Sequence, residues 1–304
     1  MNHEIGQLMR IGIDLGGTKI ELVVLDNNGQ ERFKTRVATP KNYQGTLDKI
    51  VSLVQQAEQA VASKCSVGIG IPGCISLDTG TVKNANSTWL NNQPFNDDLN
   101  QRLNRQVFIA NDANCFAVSE ATDGAAAKQP IVFGVIIGTG CGAGIAINGK
   151  VHAGRNFVAG EWGHNPLPWM TAEEFEQTNC FCGKHSCIET FISGSGFIRD
   201  FNLGELQVQR AEDIMALVEQ GNPQAITAFA NFIDRLARSL AHVINILDPD
   251  AIVLGGGLSN IDAIYQQLPE ILAKYVIGGE CYTPVLKNKY GCSSGVRGAA
   301  WLAD

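Results

Sequence analysis

The sequence predicts an α/β protein built from two similar halves that face each other across a cleft. Three observations carry this prediction. Short apolar runs alternate with amphipathic helical stretches, glycine-rich turns follow three of the apolar runs, and the opening pattern recurs about 120 residues later. Glycine accounts for 33 of 304 residues, about 11% against a usual ~7%. No collagen period or Gly/Ser linker explains this surplus, so we expect the extra glycines in turns.

The first half reads as a β-hairpin followed by an α/β unit. Each apolar run is short enough for a strand and ends at glycine, while one longer stretch has apolar residues at helical spacing. In chain order we predict a strand at 10–15, a glycine turn at 16–19, a strand at 20–25, an Asn-Gly turn at 28–29, a helix at about 43–63 and a buried strand at 67–71.

The opening pattern recurs near residue 131. An apolar run at 131–137 leads to a second glycine turn at 138–144, which starts at Gly138, 122 residues after Gly16. A second Asn-Gly turn ends at Gly149, 120 residues after Gly29. Duplication would set two glycine turns facing each other across the cleft. The alternative is a chance match, since strand–glycine–strand units are common.

The remaining elements complete the second half. Residues 223–247 form one long amphipathic pattern, which begins at a proline and stops at Asp248-Pro249. A strand with a third glycine turn at 251–257 and two helices, at about 260–275 and 295–302, follow. We assign 9–117 plus the C-terminal helix, about 293–304, to a small lobe and 118–292 to a large lobe, with a tight boundary near 112–130.

Composition and charge exclude several classes of partner. Hydrophobic residues make up 45% and charged residues 17%, with a net charge of −7, which is globular rather than disordered composition. Lysine and arginine are scattered, so we expect no nucleic-acid partner. The N-terminus lacks a signal-peptide pattern, and the longest apolar run, 130–137, is too short to span a bilayer. We expect a cytoplasmic protein with no membrane partner.

The glycine turns are candidate phosphate sites, because successive glycine N–H groups can form a nest for anions. None has the Walker spacing. Gly68-x-Gly70-x-x-Gly73 matches the dinucleotide fingerprint, but no helix pattern follows it, so we reject that interpretation. Asp14 ends a buried strand beside the first turn and is a candidate Mg²⁺ ligand, with turn capping as the alternative.

A cysteine cluster predicts a zinc site. Cys180, Cys182 and Cys187 fall within eight residues, and His164 lies sixteen residues upstream. Three cysteines and one histidine are a standard tetrahedral zinc set, with free surface thiols as the alternative. His185 is an alternative fourth ligand. The other six of the nine cysteines are expected to be free thiols in a reducing compartment.

Acidic residues mark two further positions. Asp112, with Asn111 before it, follows the apolar run 107–110, and ligands bind at the carboxyl ends of strands in α/β sheets. The alternative role of Asp112 is to cap the next helix. Glu161 and Glu189 flank the cysteine cluster and would be drawn together by a zinc ion.

Taken in order, these motifs resemble the sugar kinases of the ROK family, which have the duplicated actin-like ATPase (ribonuclease H-like) fold. The resemblance runs from about residue 9 to 301, and segments 83–90 and 161–169 are most similar to the bacterial fructokinase (manno(fructo)kinase) branch. The motifs that carry it are Asp14-Leu15-Gly16-Gly17-Thr18-Lys19, Asn111-Asp112, Gly138-Thr139-Gly140, Glu161-x-Gly163-His164, Cys180-x-Cys182-Gly183-x-x-x-Cys187-x-Glu189 and Gly255-Gly256-Gly257.

The resemblance implies ATP-dependent phosphorylation of a hexose at the 6-hydroxyl, with fructose first and mannose second, by a homodimer. Asp112 would be the catalytic base, and Asp14 would serve Mg²⁺. The implied sugar contacts are Gly73, Asn86, Asn111, Glu161, His164 and Glu189. The implied nucleotide contacts are Gly16, Gly17, Thr18, Lys19, Gly138, Thr139, Gly140, Gly255 and Gly256. The implied ligands of a structural zinc are His164, Cys180, Cys182 and Cys187.

Several alternatives stay open at this point. The same residues would serve an N-acetylglucosamine kinase or a glucokinase of the family. A sugar-responsive repressor of the family has the same two-lobed fold. Such repressors carry a helix-turn-helix segment before the first glycine turn, whereas here only about nine residues precede the strand that leads to that turn. A pure sugar-binding protein would not need Asp14, the phosphate turns and Asp112 together.

One departure from the family pattern affects the expected zinc loop. Ser186 stands where the family usually has glycine. If that position requires a positive φ, serine strains the zinc loop. The family-like sequence begins at Met9, so residues 1–8 are expected to precede the natural start.

Overall fold

Two five-stranded sheets form the framework of the computed structural model, which describes residues 8–175 and 178–303. The expectation about the natural start concerns residues 1–8, of which residues 1–7 lie outside this range. The strands of the first sheet are β1 (Met9–Leu15), β2 (Lys19–Leu25), β3 (Glu31–Ala38), β4 (Cys65–Ile71) and β7 (Val107–Asn111). Those of the second are β8 (Ile131–Ile137), β9 (Cys141–Ile147), β10 (Lys150–Val151), β11 (Ala251–Gly255) and β12 (Val285–Lys287). The two-residue strands β5 (Cys74–Ile75) and β6 (Val82–Lys83) pair separately.

Both sheets follow one plan. Their strand orders are β3-β2-β1-β4-β7 and β10-β9-β8-β11-β12. In the first sheet β1 is antiparallel to β2 and parallel to β4. In the second sheet β8 is antiparallel to β9 and parallel to β11. The predicted duplication is therefore confirmed, and the recurrence of the glycine turn is not a chance match.

Nine α-helices are present in the part of the chain that the structure describes. Their ends agree with the sequence prediction to within a few residues where one was made. They are α1 (Tyr43–Val61), α2 (Phe95–Leu103), α3 (Asp112–Thr122), α4 (Glu189–Ile192), α5 (Gly194–Phe201), α6 (Ala211–Glu219), α7 (Pro223–Leu247), α8 (Asp262–Tyr275) and α9 (Ser294–Trp301). No helix among the described residues is long and apolar enough to cross a membrane.

The long helix α7 shows how local sequence sets these ends. The side chain of Asn222 accepts a hydrogen bond from the N–H of Ala225 at 3.1 Å, and Pro223 occupies the first turn. At the other end Asp248 adopts the left-handed conformation with φ +46°, and Pro249 follows. Both boundaries match the prediction because both depend only on neighbouring residues.

Close packing explains much of the glycine excess, which corrects the expectation that it lies in turns. Gly12 and Gly68 lie inside β1 and β4, and a Cβ there would stand 2.0 Å from the Val296 carbonyl oxygen and 1.9 Å from that of Ala299. Gly144, expected in the second turn, lies inside β9. Strands buried on both faces admit a helix this close only where the side chain is a hydrogen atom.

Helices α3 and α9 meet between the two sheets. α3 packs on β8 and β9, and α9 packs on β1 and β4. A Cβ on Gly298 would lie 1.6 Å from the carbonyl oxygen of Cys115, so the two helices touch backbone to backbone. The C-terminal helix thus packs against the first sheet, as a member of the small lobe would; the lobe boundaries themselves stay predictions.

Candidate active site

Two carboxylates lie at the carboxyl ends of parallel strands in the first sheet. Asp14 is in register with Gly70 of β4, and Gly70 is in register with Ala110 of β7, two residues before Asp112. The strand between them carries glycine at this position, and the charge of Asp112 acts on Asp14. This is the position at which α/β sheets bind ligands.

Both carboxyl groups hold protons more tightly than usual. Burial, and then the charge of Asp112, raises the pKa of Asp14 from 3.8 to about 6. Burial is also the largest cause of the raised pKa of Asp112, followed by the charge of Glu161, although the N–H of Ala113 opposes it by donating to Oδ1 at 2.8 Å. Protein atoms surround the Asp112 carboxylate closely enough to raise its pKa. The residue is nevertheless exposed to solvent, so a ligand can reach it.

Replacing Asp14 by Asn is expected to stabilise the metal-free protein at neutral pH. The unfolded chain releases this proton near pH 3.8 and the folded chain near 6, so stability rises as the pH falls through that interval. Asn removes the buried charge, and we expect a gain on the order of 1 kcal/mol above pH 6 that fades towards pH 4. Thermal unfolding in chelator-containing buffer measures it, with the exposed Asp78→Asn as control. A gain that does not depend on pH contradicts this account.

Asn111, not Asp112, caps helix α3. The Oδ1 atom of Asn111 accepts the N–H of Ala113 at 2.9 Å, and its Nδ2 donates to the Gly73 carbonyl at 3.3 Å. Gly73 has φ +114°, and a Cβ there would stand 2.5 Å from the Lys83 carbonyl oxygen. Asn111 therefore brings Gly73 to the site and occupies the N-cap position, although Asp112 Oδ1 accepts the same N–H of Ala113.

The turn Glu161–His164 brings the second half of the chain to this site. Gly160, with φ +95°, packs so closely against β9 that a Cβ would stand 2.3 Å from the Ala143 carbonyl oxygen. The Glu161 side chain is 59% exposed, and its Oε2 lies 4.0 Å from His164 Nε2. Since the charge of Glu161 also acts on Asp112, these side chains surround one region.

The structure brings together the four predicted metal ligands. One ligand atom from each of His164, Cys180, Cys182 and Cys187 lies within 4.8 Å of the others, and His185 is not in this group. The Cys182–Cys187 Sγ–Sγ distance is 3.7 Å and the Cys180 Sγ–His164 Nδ1 distance is 3.5 Å. Tetrahedral zinc bond lengths require about 3.8 Å and about 3.6 Å. The donor set and its spacing are compatible with zinc.

Ser186 occupies a left-handed position, with φ +51°. Its buried hydroxyl donates to the Glu174 carbonyl at 3.1 Å, and its N–H donates to the Thr178 carbonyl at 2.8 Å. Serine is strained here, as expected from the sequence, since glycine is the residue that adopts such a φ without cost. The two hydrogen bonds hold the serine there.

Glu189 lies closer to the second glycine turn than the sugar assignment suggests. Its Oε2 accepts the N–H of Cys141 at 2.9 Å, and a Cβ on Gly140 would stand 2.9 Å from the same oxygen. Its Oε1 lies 3.9 Å from Cys180 Sγ. Glu189 therefore connects the turn with the cysteine cluster.

The remaining predicted contacts lie around these groups. Asn86 is exposed and has no hydrogen-bond partner among the described residues. Its neighbour Ser87 lies beside the first glycine turn, since a Cβ on Gly17 would stand 3.5 Å from Ser87 Oγ. Gly256, with φ +82°, packs on the Ile137 carbonyl, which places the third turn beside the second. A Cβ on Gly255 would lie 2.6 Å from the Phe116 ring, so this glycine is needed for packing on α3.

Sequence reasoning missed Glu21, which faces Asp14 across β1 and β2. Burial opposes its ionisation, but hydrogen bonds from Arg36 and Lys34 outweigh burial and lower the pKa of Glu21. Arg36 Nε donates at 3.0 Å, and Lys34 Nζ lies at 3.1 Å. A charged residue inside the apolar run 20–25 was the available signal.

Comparison with known proteins identifies the family. The sequence model of the ROK family matches residues 10–304. The chain belongs to the ROK family. The N-acetyl-D-glucosamine kinase of Escherichia coli strain K12 is 41% identical to this ROK protein over 299 residues, which cover 97% of this chain and 99% of the relative.

Solved structures of the family have the same fold. The ROK hexokinase from Thermus thermophilus superposes with a TM-score of 0.86 at 26% identity, covering 97% of each chain. A ROK family glucokinase from Streptomyces griseus, in complex with glucose and AMPPNP, gives a TM-score of 0.73 at 28% identity, covering 96% of this chain and 98% of that one. Two predictions are thereby confirmed: the duplicated actin-like ATPase fold, and the assignment of the chain to the ROK family of sugar kinases. The fructose preference stays a prediction.

Proposed function

We propose that this ROK protein transfers the γ-phosphoryl group of ATP to the 6-hydroxyl of a hexose. The observation that carries the proposal is the pair Asp14 and Asp112, which lie together beside the first glycine turn. Phosphoryl transfer depends on positioning and charge neutralisation more than on covalent chemistry. Backbone donors, a carboxylate for a cation and a carboxylate for the hydroxyl meet those needs.

Asp112 is the base in this proposal. Its carboxylate accepts a hydrogen bond from the 6-hydroxyl, aims the oxygen at the γ-phosphorus and takes the proton as the O–P bond forms. A raised pKa favours this role, because the carboxylate is then a stronger proton acceptor than an ordinary one. Asp14 would hold Mg²⁺, which neutralises charge on the phosphates when bound.

The sugar contacts follow from the same geometry. Asn111 and the Gly73 segment would bind hydroxyls on one side, while Glu161 and His164 would bind those on the other. Asn86 and Glu189 would complete the set. Since Nδ1 of His164 faces Cys180 and Nε2 faces Glu161, one ring nitrogen can serve a metal and the other the sugar.

N-acetyl-D-glucosamine is better supported than fructose as the acceptor. The support is the 41% identity to kinases of that sugar across almost the whole chain. Fructose and mannose form the second candidate, on the resemblance of segments 83–90 and 161–169 to fructokinases. Release of ADP in parallel reactions with N-acetyl-D-glucosamine, fructose, mannose and glucose tests the proposal. One strongly preferred sugar supports it, and no release above the sugar-free rate with any of them contradicts it.

We also propose a structural zinc at the cysteine cluster. The purified protein is expected to hold about one zinc per chain. Cys182→Ser is expected to lose most of that zinc, lower the thermal unfolding temperature and raise the KM for the hexose, because His164 loses its anchor. Cys281→Ser, which alters a cysteine outside the cluster, is the control. Zinc-free wild-type protein of full stability contradicts the assignment.

A further inference from the structure

The segment after β3 binds the carbonyl groups of the first glycine turn. The N–H of Thr39 donates to the Thr18 carbonyl at 3.0 Å, and the Thr39 hydroxyl donates to the Gly16 carbonyl at 2.8 Å. The ammonium of Lys41 donates to the remaining carbonyl, that of Gly17. Two residues, which we call the clasp, thus bind every carbonyl from 16 to 18.

The clasp is itself held in place. Thr39 is buried, and the Lys41 ammonium lies 5.3 Å from the centre of the Trp89 ring. The indole N–H of Trp89 donates to Thr46 Oγ1 at 3.1 Å, which fixes the ring. Within the described residues Lys41 forms no ion pair with a carboxylate, so its charge acts on the Gly17 carbonyl.

Peptide geometry converts this arrangement into a direction for the donors of the turn. In a trans peptide the C=O of one residue and the N–H of the next point in opposite directions. Carbonyls held on one side therefore send the N–H groups of Gly17, Thr18 and Lys19 to the other. In the described part of the chain the N–H groups of Gly17 and Thr18 have no hydrogen-bond partner, and the side chain of Thr18 is exposed.

The second glycine turn has the same construction. The N–H of Gly194 donates to the Gly138 carbonyl at 2.7 Å, and the hydroxyl of Ser195 donates to the Thr139 carbonyl at 2.8 Å. These donors come from the start of α5, whereas the donors at the first turn come from the segment after β3, so the two sets lie on different kinds of element. Two unrelated segments thus donate hydrogen bonds to the carbonyls of equivalent turns. Fixing these carbonyls is therefore a property shared by the two turns and not by the segments that fix them.

We propose that Thr39 and Lys41 are positioning residues for the phosphate groups of ATP. They fix the first turn with its N–H groups directed at phosphate oxygens, and the Lys41 ammonium polarises the Gly17–Thr18 peptide so that the Thr18 N–H becomes a stronger donor. Ser195 does the equivalent at the second turn, without a charge. This inference rests on the proposed function only in taking ATP as the ligand of the turns.

The test is ATP binding to the full-length protein without sugar, measured by calorimetry. Lys41→Met is expected to raise the Kd for ATP about tenfold, as loss of a charged hydrogen bond does, and Lys41→Arg is expected to restore most of it. Thr39→Val is expected to weaken binding, whereas Thr39→Ser keeps the hydroxyl and the affinity. In steady-state kinetics kcat/KM for ATP falls with the affinity while the KM for the hexose stays unchanged. Lys274→Met, on the exposed face of α8, is the charge-matched control.

The outcomes separate the two claims. Unchanged ATP affinity in Lys41→Met and Thr39→Val, with wild-type protein that binds ATP, overturns the positioning inference and leaves the proposed function intact. An equal loss of hexose affinity in these variants also overturns it, because the effect is then not confined to the phosphate turn. Wild-type protein that binds no ATP overturns the proposed function itself.

Discussion

Asp112→Asn is expected to lower kcat by about 10²- to 10⁴-fold, the usual contribution of a positioned general base. Asn keeps the shape and the hydrogen-bonding reach of the side chain but cannot take the proton of the 6-hydroxyl. The dissociation constant of the hexose is expected to stay within about threefold of the wild-type value, because Asn111 and Glu161 are unchanged. Steady-state kinetics and calorimetry with the preferred sugar measure the two quantities.

The matched control is Asp97→Asn, which removes an exposed carboxylate from the first turn of another helix, α2. It is expected to leave kcat unchanged. Thermal unfolding of Asp112→Asn is expected to show no loss of stability, because burial already disfavours the charge of Asp112 in the folded protein. Turnover near the wild-type rate in Asp112→Asn would reject its role as base.

Gly298→Ala is expected to destabilise the fold by about 3 kcal/mol or more. The added Cβ would stand 1.6 Å from the carbonyl oxygen of Cys115 and 2.5 Å from its carbonyl carbon. Neither atom belongs to a flexible side chain, so α9 must move away from α3, at a cost at the upper end of that for overpacking. In a chain of 304 residues the unfolding temperature should fall by about 5 °C or more.

Gly295→Ala is the control, since Gly295 lies one turn earlier in the same helix and a Cβ there meets nothing within 4 Å. Alanine is a better helix former than glycine, so this change should leave the unfolding temperature unchanged or raise it slightly. Because α3 begins at Asp112 and α9 packs on β1, which carries Asp14, Gly298→Ala should also lower kcat at temperatures where it is folded. Equal stability of the two variants would contradict the packing account.

The sequence predicts the elements and the duplication because those depend on local patterns. β1, β8 and α7 begin and end within a residue of the predicted bounds, since glycine, proline and capping residues set their ends. The same patterns cannot distinguish a glycine that binds an anion from one that admits a helix. Gly12 and Gly298 belong to the second kind, and the residues they contact lie more than 150 positions away in the chain.

The candidate site also has residues that the sequence predicts and residues that it does not. Asp112 and the cysteine cluster are predictable because their residue types are unusual in their contexts. The neighbours that tune them come from other strands: Glu21 faces Asp14 from β2, and Lys41 reaches Gly17 from the segment after β3. The sequence marks Glu21 as unusual in its apolar run but does not show which residues these side chains contact, because the contacts arise from sheet register rather than from spacing.

The central claim is transfer of the γ-phosphoryl group to the 6-hydroxyl of a hexose, and product analysis tests it most directly. The protein is incubated with ATP labelled at the γ-phosphate and with the sugar that releases most ADP, and the product is examined by phosphorus NMR. We predict one labelled sugar phosphate per ADP, with the phosphorus coupled to the two C6 protons. Label found only in inorganic phosphate, or on another hydroxyl, would contradict the claim.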